Sequence, residues 1–457
     1  MPKFLNTSDF YIKSNSVPLV YTLAMIIDTP ARLKIGINGR FLQHPYTGIG
    51  QYTMQLLREF SKMKHDNTDE VRHDDSLRHV DFIIAVPNQK CIEQMRREKI
   101  DLPVAIIPEK QWLAKSLAKH WWEQIQVSDF FHEQKVNLIW LPYACTKWFG
   151  GNDKTRTKTI VTVHDTIPWT LPEYQRGLLS RLAHAMSRRS VAHADHIITV
   201  SKASANDISQ TCDIAKEHIA VIKNGVSEIF HQPVSQNIID ETLKQYNLSP
   251  KQFFLYVGGY DARKNVRRMV ESYKKYSEIY ARHKKHTYPY PLVLVGGKSH
   301  EDALYADYDT ITSVKPEADM LTENKNSRTV SIVTTGFLED INLAALYQSS
   351  RGFVHFSSAE GFNIPLAQAM ISHLPLLISD TTIHREIAGN SATYIQLDDD
   401  VTMMNGWDRL TNADTRNDHP NSNDSNAHQF SWERSAKDHL CIFNSIAART
   451  TRKSIAP

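Results

Sequence analysis

The chain of 457 residues is 41% hydrophobic, 23% charged and 9% aromatic, which is the composition of an ordinary soluble globular protein. That composition excludes collagen-like, disulfide-stapled and disordered proteins. At roughly 100–200 residues per domain the length predicts two to four domains, and we expect two. Lys and Arg number 53 against 50 Asp and Glu, and the formal charge of +3 excludes a protein whose main role is to coat nucleic acid.

The cysteines and the start of the chain give no sign of export. The four cysteines lie far apart, so no Cys-x-x-Cys pair exists for zinc or redox exchange, and a reducing cytosol is the simplest compartment. The early apolar run Val17–Ile27 is interrupted by Pro18 and is too short to span about 30 Å of hydrocarbon. We interpret residues 1–31 as an N-terminal extension that is disordered, or of which residues 1–24 precede a later start at Met25.

In the first half of the chain, short apolar runs alternate with helical patterns. Strands are predicted at Lys34–Asn38, Asp81–Val86, Leu138–Leu141, Thr159–Val163, His196–Val200 and Ile219–Ile222. Helices are predicted at Ile49–Phe60, Trp112–Ile125, Leu179–Ala194 and Lys202–Ser209. Uncharged strands that alternate with helices indicate a parallel sheet covered on both faces.

A turn-rich stretch, Asn224–Pro250, precedes a second series of the same kind. Its strands are predicted at Phe253–Val257, Leu292–Val295, Val330–Thr334, Gly352–Phe356 and Pro375–Ser379. Its helices are predicted at Val266–Tyr280, Ile341–Ser349 and Pro365–Ser372. The fold class is therefore α/β, with two doubly wound, Rossmann-like domains facing across a cleft and binding ligands at the carboxyl ends of their strands.

The predicted boundaries place an N-terminal domain at 32–235 and a C-terminal domain at 250–429. Two polar stretches, Ser299–Arg328 and Asp398–His428, are interpreted as surface insertions, because neither has enough apolar side chains to form core. Residues 430–457 resume a helical pattern, and we expect this terminal helix to pack back toward the N-terminal domain.

A glycine pair followed by two cations is the sharpest local feature. In Tyr256–Asn265, Gly258 and Gly259 end a strand and let a ligand approach the backbone. Arg263 and Lys264 follow and can donate charge-assisted hydrogen bonds to a diphosphate. A tight turn with two solvated cations would have the same sequence.

A second loop, within Ser357–Met370, carries Glu360 before a glycine and Pro365 where a helix begins. Glu360 can accept hydrogen bonds from sugar hydroxyls, and the backbone amides at the helix start face any ligand above the sheet. A glutamate in a loop is usually just solvated, so this segment does not decide the function by itself.

These two segments and four shorter ones resemble glycosyltransferase family 4, the retaining, nucleotide-sugar-dependent group with the GT-B architecture. The shorter matches are Thr47–Gly50, Val163–Asp165, Val200–Lys202 and Lys223–Val226. All six occur in the order and at the spacing of the family, and the resemblance extends over 33–448. It implies transfer of a hexose from a GDP- or UDP-sugar to a glycan or lipid-linked acceptor, without a further cofactor and without nucleic acid.

The resemblance also implies roles for individual residues. Arg263 and Lys264 would bind the donor diphosphate and stabilise the leaving group. Glu360 would contact the transferred sugar and His164 would orient it, the alternative for His164 being a core histidine bonded to Asp165. The implied binding residues are Gly48, Gly50, Gly258, Gly259, Phe362, Asn363, Ile364 and Gln368. A plain helix-entry turn would account for the first two of these equally well.

Two positions depart from the family pattern. The second acid of its paired-glutamate motif is Gln368, which we expect to weaken nucleotide binding by about 1–1.5 kcal/mol, the net worth of one hydrogen bond. Asn363 replaces the usual glycine and tolerates left-handed geometry. A catalytically weakened nucleotide-sugar-binding or scaffold protein therefore stays an alternative. An epimerase or dehydrogenase is disfavoured, because Gly36–Gly39 lacks the Gly-x-Gly-x-x-Gly spacing.

A metal site is the next alternative. Asp307-Tyr-Asp309 has the Asp-x-Asp pattern of metal-dependent glycosyltransferases, but it lies in a polar insertion. We interpret it, like Asp398–Asp400, as solvated surface acid, and we predict no metal site.

An amphipathic helical pattern raises the possibility of contact with a membrane. In the helical pattern of Gln111–Ile125, one face carries Leu113, Leu117, Trp121 and Ile125. We expect this face to pack on the sheet, with peripheral membrane contact as the alternative. The segment Thr162–Tyr174 resembles mannosyltransferases of bacterial surface polysaccharide assembly, so GDP-mannose is the first donor to consider. The expected location is the cytoplasm, at the inner face of the membrane if the acceptor is lipid-linked.

Overall fold

A computed structural model describes residues 32–66, 80–110, 112–113, 115–145, 157–175, 177–284, 289–297, 331–413 and 429–453. The chain divides into two compact units. The first takes its described residues from Met1–Val163, Met186–Ile198 and Ala436–Pro457, and the second from His164–Ala185 and Thr199–Ser435. The predicted N-terminal extension and the insertion Ser299–Arg328, including Asp307 and Asp309, lie outside the described residues.

Seven strands form the first sheet, in the order β3-β2-β1-β4-β5-β6-β7. These strands are β1 (Leu33–Asn38), β2 (Val80–Val86), β3 (Val104–Ile106), β4 (Leu138–Leu141), β5 (Lys158–Val163), β6 (His196–Thr199) and β7 (Ile219–Val221). The helices of this half of the chain are α1 (Gly48–Asp66), α2 (Gln89–Arg97), α3 (Lys115–Trp121), α4 (Val127–Glu133), α5 (Ile167–Thr170), α6 (Leu178–Ala192) and α7 (Lys202–Cys212). Strand β1 pairs in parallel with β2 and β4.

Six strands form the second sheet, in the order β10-β9-β8-β11-β12-β13. They are β8 (Phe254–Val257), β9 (Leu292–Val295), β10 (Ile332–Gly336), β11 (Gly352–His355), β12 (Leu376–Ser379) and β13 (Thr393–Ile395). The helices are α8 (Gln236–Gln245), α9 (Val266–His283), α10 (Asp340–Ser349), α11 (Ile364–Ile371), α12 (Thr382–Ala388), α13 (Asp400–Asn412) and α14 (Trp432–Lys453). Both sheets are parallel with flanking helices, which confirms the predicted α/β class.

Buried aromatic side chains join β4, α1 and α14 in the first unit. Trp140 is fully buried, with its ring 6.2 Å from that of Tyr52 and 5.5 Å from that of Phe443. The Tyr52 hydroxyl lies 2.6 Å from His439 Nε2 and 3.1 Å from Thr162 Oγ1. Because buried polar groups need partners, these contacts hold α14 in one position against the helix and strands of this unit.

Two stretches that the sequence predicts to be irregular contain helices. The turn-rich stretch Asn224–Pro250 includes α8, and Asp398–His428 begins with α13. The interpretation of the latter as a polar insertion is wrong for α13, whose Trp407 is fully buried and donates from Nε1 to Ser272 Oγ at 3.1 Å. Few apolar side chains suffice for core when they recur on one helical face, as Met403, Trp407 and Leu410 do.

The expectation that the face of Leu117, Trp121 and Ile125 packs on the sheet is wrong. These three side chains are 57%, 43% and 37% exposed. The continuous predicted helix is instead α3 followed by a π-helical turn, Trp122–Gln126, and α4. Trp122 is the fully buried residue, because its Nε1 donates to the Ile107 carbonyl oxygen at 2.5 Å. Among the described helices, none is both long and apolar enough to cross a bilayer.

Substitution Tyr52→Phe should lower the free energy of unfolding by about 1–3 kcal/mol, because it leaves the His439 and Thr162 side chains with one buried partner fewer. Urea unfolding followed by tryptophan fluorescence measures this. In the control Tyr246→Phe, the lost hydroxyl accepts only a surface bond from Gln245, and a change below about 0.5 kcal/mol is expected. Equal losses in both variants would contradict a structural role for the buried network.

Candidate active site

The two loops singled out in the sequence follow neighbouring strands of the second sheet. Strands β8 and β11 are hydrogen-bonded in parallel, so the loops after them leave from the same edge. The structure therefore brings together Arg263 and Lys264 from one loop and Glu360 from the other. This is the edge at which doubly wound sheets bind ligands.

One carboxylate between two cations forms the centre of this site. Glu360 Oε2 lies 2.7 Å from Arg263 Nη1, and its Oε1 lies 2.5 Å from Lys264 Nζ. The three side chains are only 7%, 17% and 10% exposed. Arg263 Nη1 also donates to the Ala359 carbonyl oxygen at 2.8 Å, and Asp261 lies 3.8 Å from the same guanidinium. Two carboxylates thus balance two buried cations.

The electrostatics keep Glu360 ionised. Burial by itself raises the pKa of a carboxyl group, but the charges of Arg263 and Lys264 outweigh it and hold the pKa of Glu360 well below its usual range. Burial lowers the pKa of Lys264, an effect that Glu360 opposes. Lys264 therefore depends on a nearby anion to remain protonated, and removal of the Glu360 carboxylate would deprive Lys264 of its 2.5 Å ion pair and leave Arg263 with the more distant Asp261.

Hydrogen bonds to backbone carbonyl oxygens join the loop 258–265, which carries Arg263 and Lys264 and is called the cation loop below, to the loop 356–363, which carries Glu360 and is called the glutamate loop. Asn265 has a left-handed conformation with a φ of 50°, and its Nδ2 donates to the carbonyl oxygens of Arg263 at 3.2 Å and Phe356 at 3.1 Å. The Ser358 amide also donates to the Arg263 carbonyl oxygen, at 2.8 Å. Asparagine tolerates this conformation, which accounts for the residue that ends the cation loop.

Gly258 and Gly259 lie at the start of the cation loop, where the backbone is crowded. A Cβ on Gly296, whose φ is 139°, would lie 1.9 Å from the Gly258 carbonyl oxygen. The Tyr256 hydroxyl donates to the Gly259 carbonyl oxygen at 2.5 Å. A Cβ on Gly258 would lie 2.8 Å from the Tyr256 hydroxyl oxygen, which favours glycine there, whereas the bond from Tyr256 positions the Gly259 carbonyl oxygen without requiring glycine at 259.

His164 follows β5 and packs, through its backbone, on the glutamate loop. A Cβ on Gly361 would lie 2.2 Å from the His164 carbonyl oxygen, so only glycine fits there. Ser201 Oγ donates to the Gly361 carbonyl oxygen at 2.8 Å, and Ser204 Oγ lies 3.1 and 3.2 Å from the carbonyl oxygens of His164 and Gly361. The His164 side chain is half-buried, and Asp165 Oδ1 accepts the Ile167 amide at 3.0 Å.

The start of α7 is tied to α12 by one carboxylate. Glu386 accepts the amides of Lys202 and Ala203, each at 2.8 Å, and these are two of the free N–H groups at the start of the helix. Ser201 caps the same helix by accepting the Ser204 amide at 3.0 Å. The glutamate loop, α7 and α12 therefore hold one another in place.

The segment Phe362–Ile364 leads into α11. Asn363 has a φ of 76°, and its Oδ1 accepts the Leu366 amide at 3.2 Å, so it caps the helix. Phe362 is buried, with its ring 5.8 Å from that of Phe430. Across the described part of the chain, the backbone N–H groups of Phe362, Asn363 and Ile364 have no hydrogen-bond acceptor, so they remain free to donate to a ligand.

Gln368 is buried on α11, beside the Tyr347 hydroxyl at 3.1 Å. That hydroxyl also lies 3.0 Å from the Pro365 carbonyl oxygen. The Tyr347 hydroxyl hydrogen is therefore shared between Gln368 Oε1 and the Pro365 carbonyl oxygen. A carboxylate in place of the Gln368 amide would draw that hydrogen away from Pro365, because an ionised acceptor forms the stronger bond.

Gly48 and Gly50 belong to the first unit, at the start of α1. A Cβ on Gly50 would lie 2.0 Å from the His44 carbonyl oxygen, so the turn itself requires glycine there. A Cβ on Gly48 would meet nothing within 4 Å. The helix-entry turn thus accounts for Gly50, and Gly48 presents open backbone.

Asp399 and Asp400 have structural partners. Asp399 Oδ1 accepts the Val401 amide at 2.8 Å at the start of α13. Asp400 pairs with Arg268 and Lys275, each at 2.6 Å. Asp400 is 45% exposed and so lies at the surface as predicted, but it also joins α9 to α13, whereas Asp399 caps α13 itself.

Several polar residues near the centre were not predicted from the sequence. Asp261 precedes Arg263 by two residues, and Tyr174 and Asp165 affect the same guanidinium electrostatically. His355 is fully buried at the end of β11, with Nε2 3.9 Å from Glu360 Oε1. A histidine inside the apolar run Gly-Phe-Val-His was the available signal, because a buried imidazole needs a specific partner.

Comparison with known proteins agrees with this geometry. The family model described as Glycosyltransferase Family 4 matches residues 46–228, and the one described as Glycosyl transferases group 1 matches residues 239–398. The O-antigen chain mannosyltransferase B of Escherichia coli is 24% identical over 86% of this chain and 94% of its own. The O-antigen chain mannosyltransferase RfbU of Salmonella typhimurium is 28% identical over 54% of this chain and 59% of its own.

Solved structures show the same fold. The crystal structure of Anabaena HepE in complex with UDP and glucose matches with a TM-score of 0.61 at 14% identity, over 91% of this chain and all of that one. The two family models together cover every described strand except β1, and all the loops that carry the candidate site, but neither reaches α13 or α14. The chain therefore belongs to glycosyltransferase family 4 and is a glycosyltransferase of the GT-B fold.

Proposed function

We propose that this glycosyltransferase retains the anomeric configuration and moves mannose from GDP-mannose to a saccharide or lipid-linked saccharide acceptor. The observation that carries the proposal is the buried cluster of Arg263, Lys264 and Glu360 at the ligand-binding edge of the second sheet. The cations already bind an anion at 2.7 and 2.5 Å, as a diphosphate requires. Both relatives named above are mannosyltransferases, which favours mannose over the glucose bound in HepE.

In the proposed step, the acceptor oxygen bonds to the anomeric carbon on the face from which the phosphate departs. The bond from that carbon to the phosphate oxygen breaks, and the acceptor proton goes to the departing phosphate. Arg263 and Lys264 stabilise the negative charge that develops on the nucleoside diphosphate, at about 1.5–3 kcal/mol for each charged hydrogen bond. They supply the positive charge that a metal ion provides in other transferases, so we propose a metal-independent reaction with no other cofactor.

The remaining residues would hold the donor. The ionised Glu360 would accept hydrogen bonds from the sugar hydroxyls, and His164 would orient the sugar. The free backbone N–H groups of 362–364 would donate to the sugar and its phosphate. Gln368 would form a hydrogen bond with the ribose, and the backbones of Gly258 and Gly259 would lie against the phosphates of the donor. We place Gly48 and Gly50 on the acceptor or phosphate side of the first unit.

A non-catalytic nucleotide-sugar-binding protein is the second candidate. Gln368 favours it, because an amide replaces the carboxylate of the family motif and fits the Tyr347 hydroxyl. Turnover of any donor would exclude this candidate.

Thermal unfolding with saturating GDP, UDP, ADP and CMP tests the donor site first. A ligand that binds only the folded state raises the unfolding temperature, and we expect GDP to raise it most. The rise should vanish in Arg263→Ala, which removes a phosphate ligand, and persist in Arg267→Ala, whose exposed guanidinium pairs with Glu271. If the GDP-induced rise in unfolding temperature vanishes in both variants, or persists in both, Arg263 is not a specific ligand of the diphosphate.

Substitution Glu360→Gln separates binding from transfer. The carboxylate competes with a diphosphate for Arg263 and Lys264, so the variant should bind GDP about ten-fold more tightly. Transfer should fall at least 100-fold, because the neutral amide accepts more weakly than the carboxylate and places no negative charge beside the transferred sugar. Calorimetric titration with GDP and GDP release from GDP-mannose measure the two effects, with Glu271→Gln as the exposed control. Weaker GDP binding in Glu360→Gln would show that the two anions do not compete.

We also propose peripheral contact with the cytoplasmic face of a membrane, through the apolar face of α3. Trp112 is 77% exposed beside the exposed Leu117, Trp121 and Ile125. Exposed tryptophans next to aliphatic side chains suit the interface of a bilayer, where a lipid-linked acceptor lies.

Flotation with phosphatidylglycerol vesicles tests this contact. The double variant with Leu117→Ser and Trp121→Ser should reduce the vesicle-bound fraction at least five-fold, because it removes apolar area from the interface. The control Leu182→Ser alters an equally exposed leucine on α6 and should float like the wild type. No flotation of the wild type would dismiss the membrane contact and leave the proposed transfer reaction intact.

A further inference from the structure

Asn363, which replaces the glycine usual in the family, bridges two buried histidines. Its Nδ2 lies 3.2 Å from His355 Nδ1 and 2.9 Å from His384 Nε2. Its Oδ1 is used by the Leu366 amide, so the orientation of the amide group is fixed by the helix cap. The nitrogen can only donate, and each of its two hydrogens faces one histidine.

This arrangement settles which nitrogen of each ring is protonated. Burial lowers the pKa of both histidines, that of His355 well below the usual range, so both rings are neutral. His384 Nε2 accepts from Asn363, so its proton lies on Nδ1, which donates to the Ser379 carbonyl oxygen at 2.8 Å. His355 accepts at Nδ1, so its proton lies on Nε2.

The Nε2–H group of His355 is buried and unused. His355 is 0% exposed, and Nε2 has no hydrogen-bond partner among the residues that the structure describes. Stacking holds the ring in place, with centroids 5.5 Å from Tyr256 and 5.9 Å from Phe353. Glu360 Oε1 lies 3.9 Å away, about 1 Å too far for a hydrogen bond.

Glu360 loses hydrogen-bond partners when the nucleotide sugar binds. Both its oxygens are held by Arg263 and Lys264, the two cations assigned above to the diphosphate. A diphosphate that takes these cations releases the carboxylate, which remains ionised and buried. A carboxylate has about four acceptor sites, and the sugar hydroxyls assigned above to Glu360 fill only some of them, so a further N–H donor within reach stabilises the buried charge.

We propose that His355 is a positioning residue whose Nε2–H receives the Glu360 carboxylate when Arg263 and Lys264 pass to the diphosphate. A shift of about 1 Å by Oε1 completes the hydrogen bond. The carboxylate is then held at a fixed point beside the transferred sugar. This inference rests on the proposed function, since it assumes that the two cations bind the donor.

The pair His355→Asn and His355→Gln tests the proposal. Both variants remove the stacked ring, but the asparagine amide replaces only the Nδ1 end, whereas the glutamine nitrogen can reach the Nε2 position and donate there. We expect His355→Asn to lower kcat for GDP release from GDP-mannose at least ten-fold, with KM changed less than three-fold. His355→Gln should recover at least half of the wild-type kcat at the same unfolding temperature as the Asn variant.

Equal kcat values in the two variants would overturn the proposal and reduce His355 to a packing residue. Wild-type kcat in His355→Asn would overturn it as well. Absence of turnover in the wild type with either GDP-mannose or UDP-glucose would instead refute the proposed function, so the two failures are distinguishable.

A measurement on the wild type covers the case in which both variants unfold. In proton–nitrogen correlation spectra of histidine-labelled protein, His355 should be the Nε2–H tautomer, and its Nε2–H resonance should shift when GDP-mannose is added. His384, whose Nδ1 bond is already made, is the internal control and should stay unchanged. An Nδ1–H tautomer for His355, or an unmoved resonance at saturation, would refute the proposal.

Discussion

The Glu360 carboxylate is shared between two buried cations, and the arrangement of the loops at this edge of the second sheet depends on that balance of charge. Its Oε2 contacts Arg263, which Asp261 also approaches, and its Oε1 contacts Lys264, so loss of Glu360 would disturb both cations at once. The loops that carry them are also joined through the backbone, by the bonds of Asn265 and Ser358 to the Arg263 carbonyl oxygen. The electrostatic centre and the loop geometry therefore support each other.

The same balance determines what the site can bind. Breaking a buried ion pair by removing one partner typically costs about 3–5 kcal/mol. A neutral ligand would have to bear that cost, whereas an anion of at least equal charge replaces the carboxylate and avoids it. The site thus discriminates by charge before it discriminates by shape, which suits a diphosphate better than a free sugar.

The sequence predicted eleven of the thirteen described strands because these are short and apolar, a pattern that is typical of parallel sheets between two layers of helices. It missed β3 and β13, which have only three residues each. It failed at α13, where three apolar residues among many polar ones make a core face, and at α3, where a π-helical turn buries Trp122 and leaves Trp121 outside. In both cases the error concerns which face of the helix is buried. Tertiary packing decides that face, and local composition does not.

For the candidate site, the sequence located the cations and the glutamate because they lie in short loops after apolar strands. It could not show that they meet one another, because the ion pairs join residues nearly a hundred positions apart. The apolar run before His355 indicates a buried histidine, but nothing in the sequence shows that His355 and His384 share a partner. Their significance lies in one shared asparagine, and a contact among three residues from separate elements produces no regular spacing in the sequence.

The division of the chain into units has a consequence for recombination between relatives. The chain passes from one unit to the other four times, and His164, Ser201 and Ser204 all belong with the second unit although they precede its sheet. A chimera joined near residue 240 would combine a foreign α7 with the native Gly361 loop and Glu386. A chimera that exchanges the second sheet between two relatives should therefore include the segments around His164 and α7 from the same parent, because these segments contact the second sheet's loops.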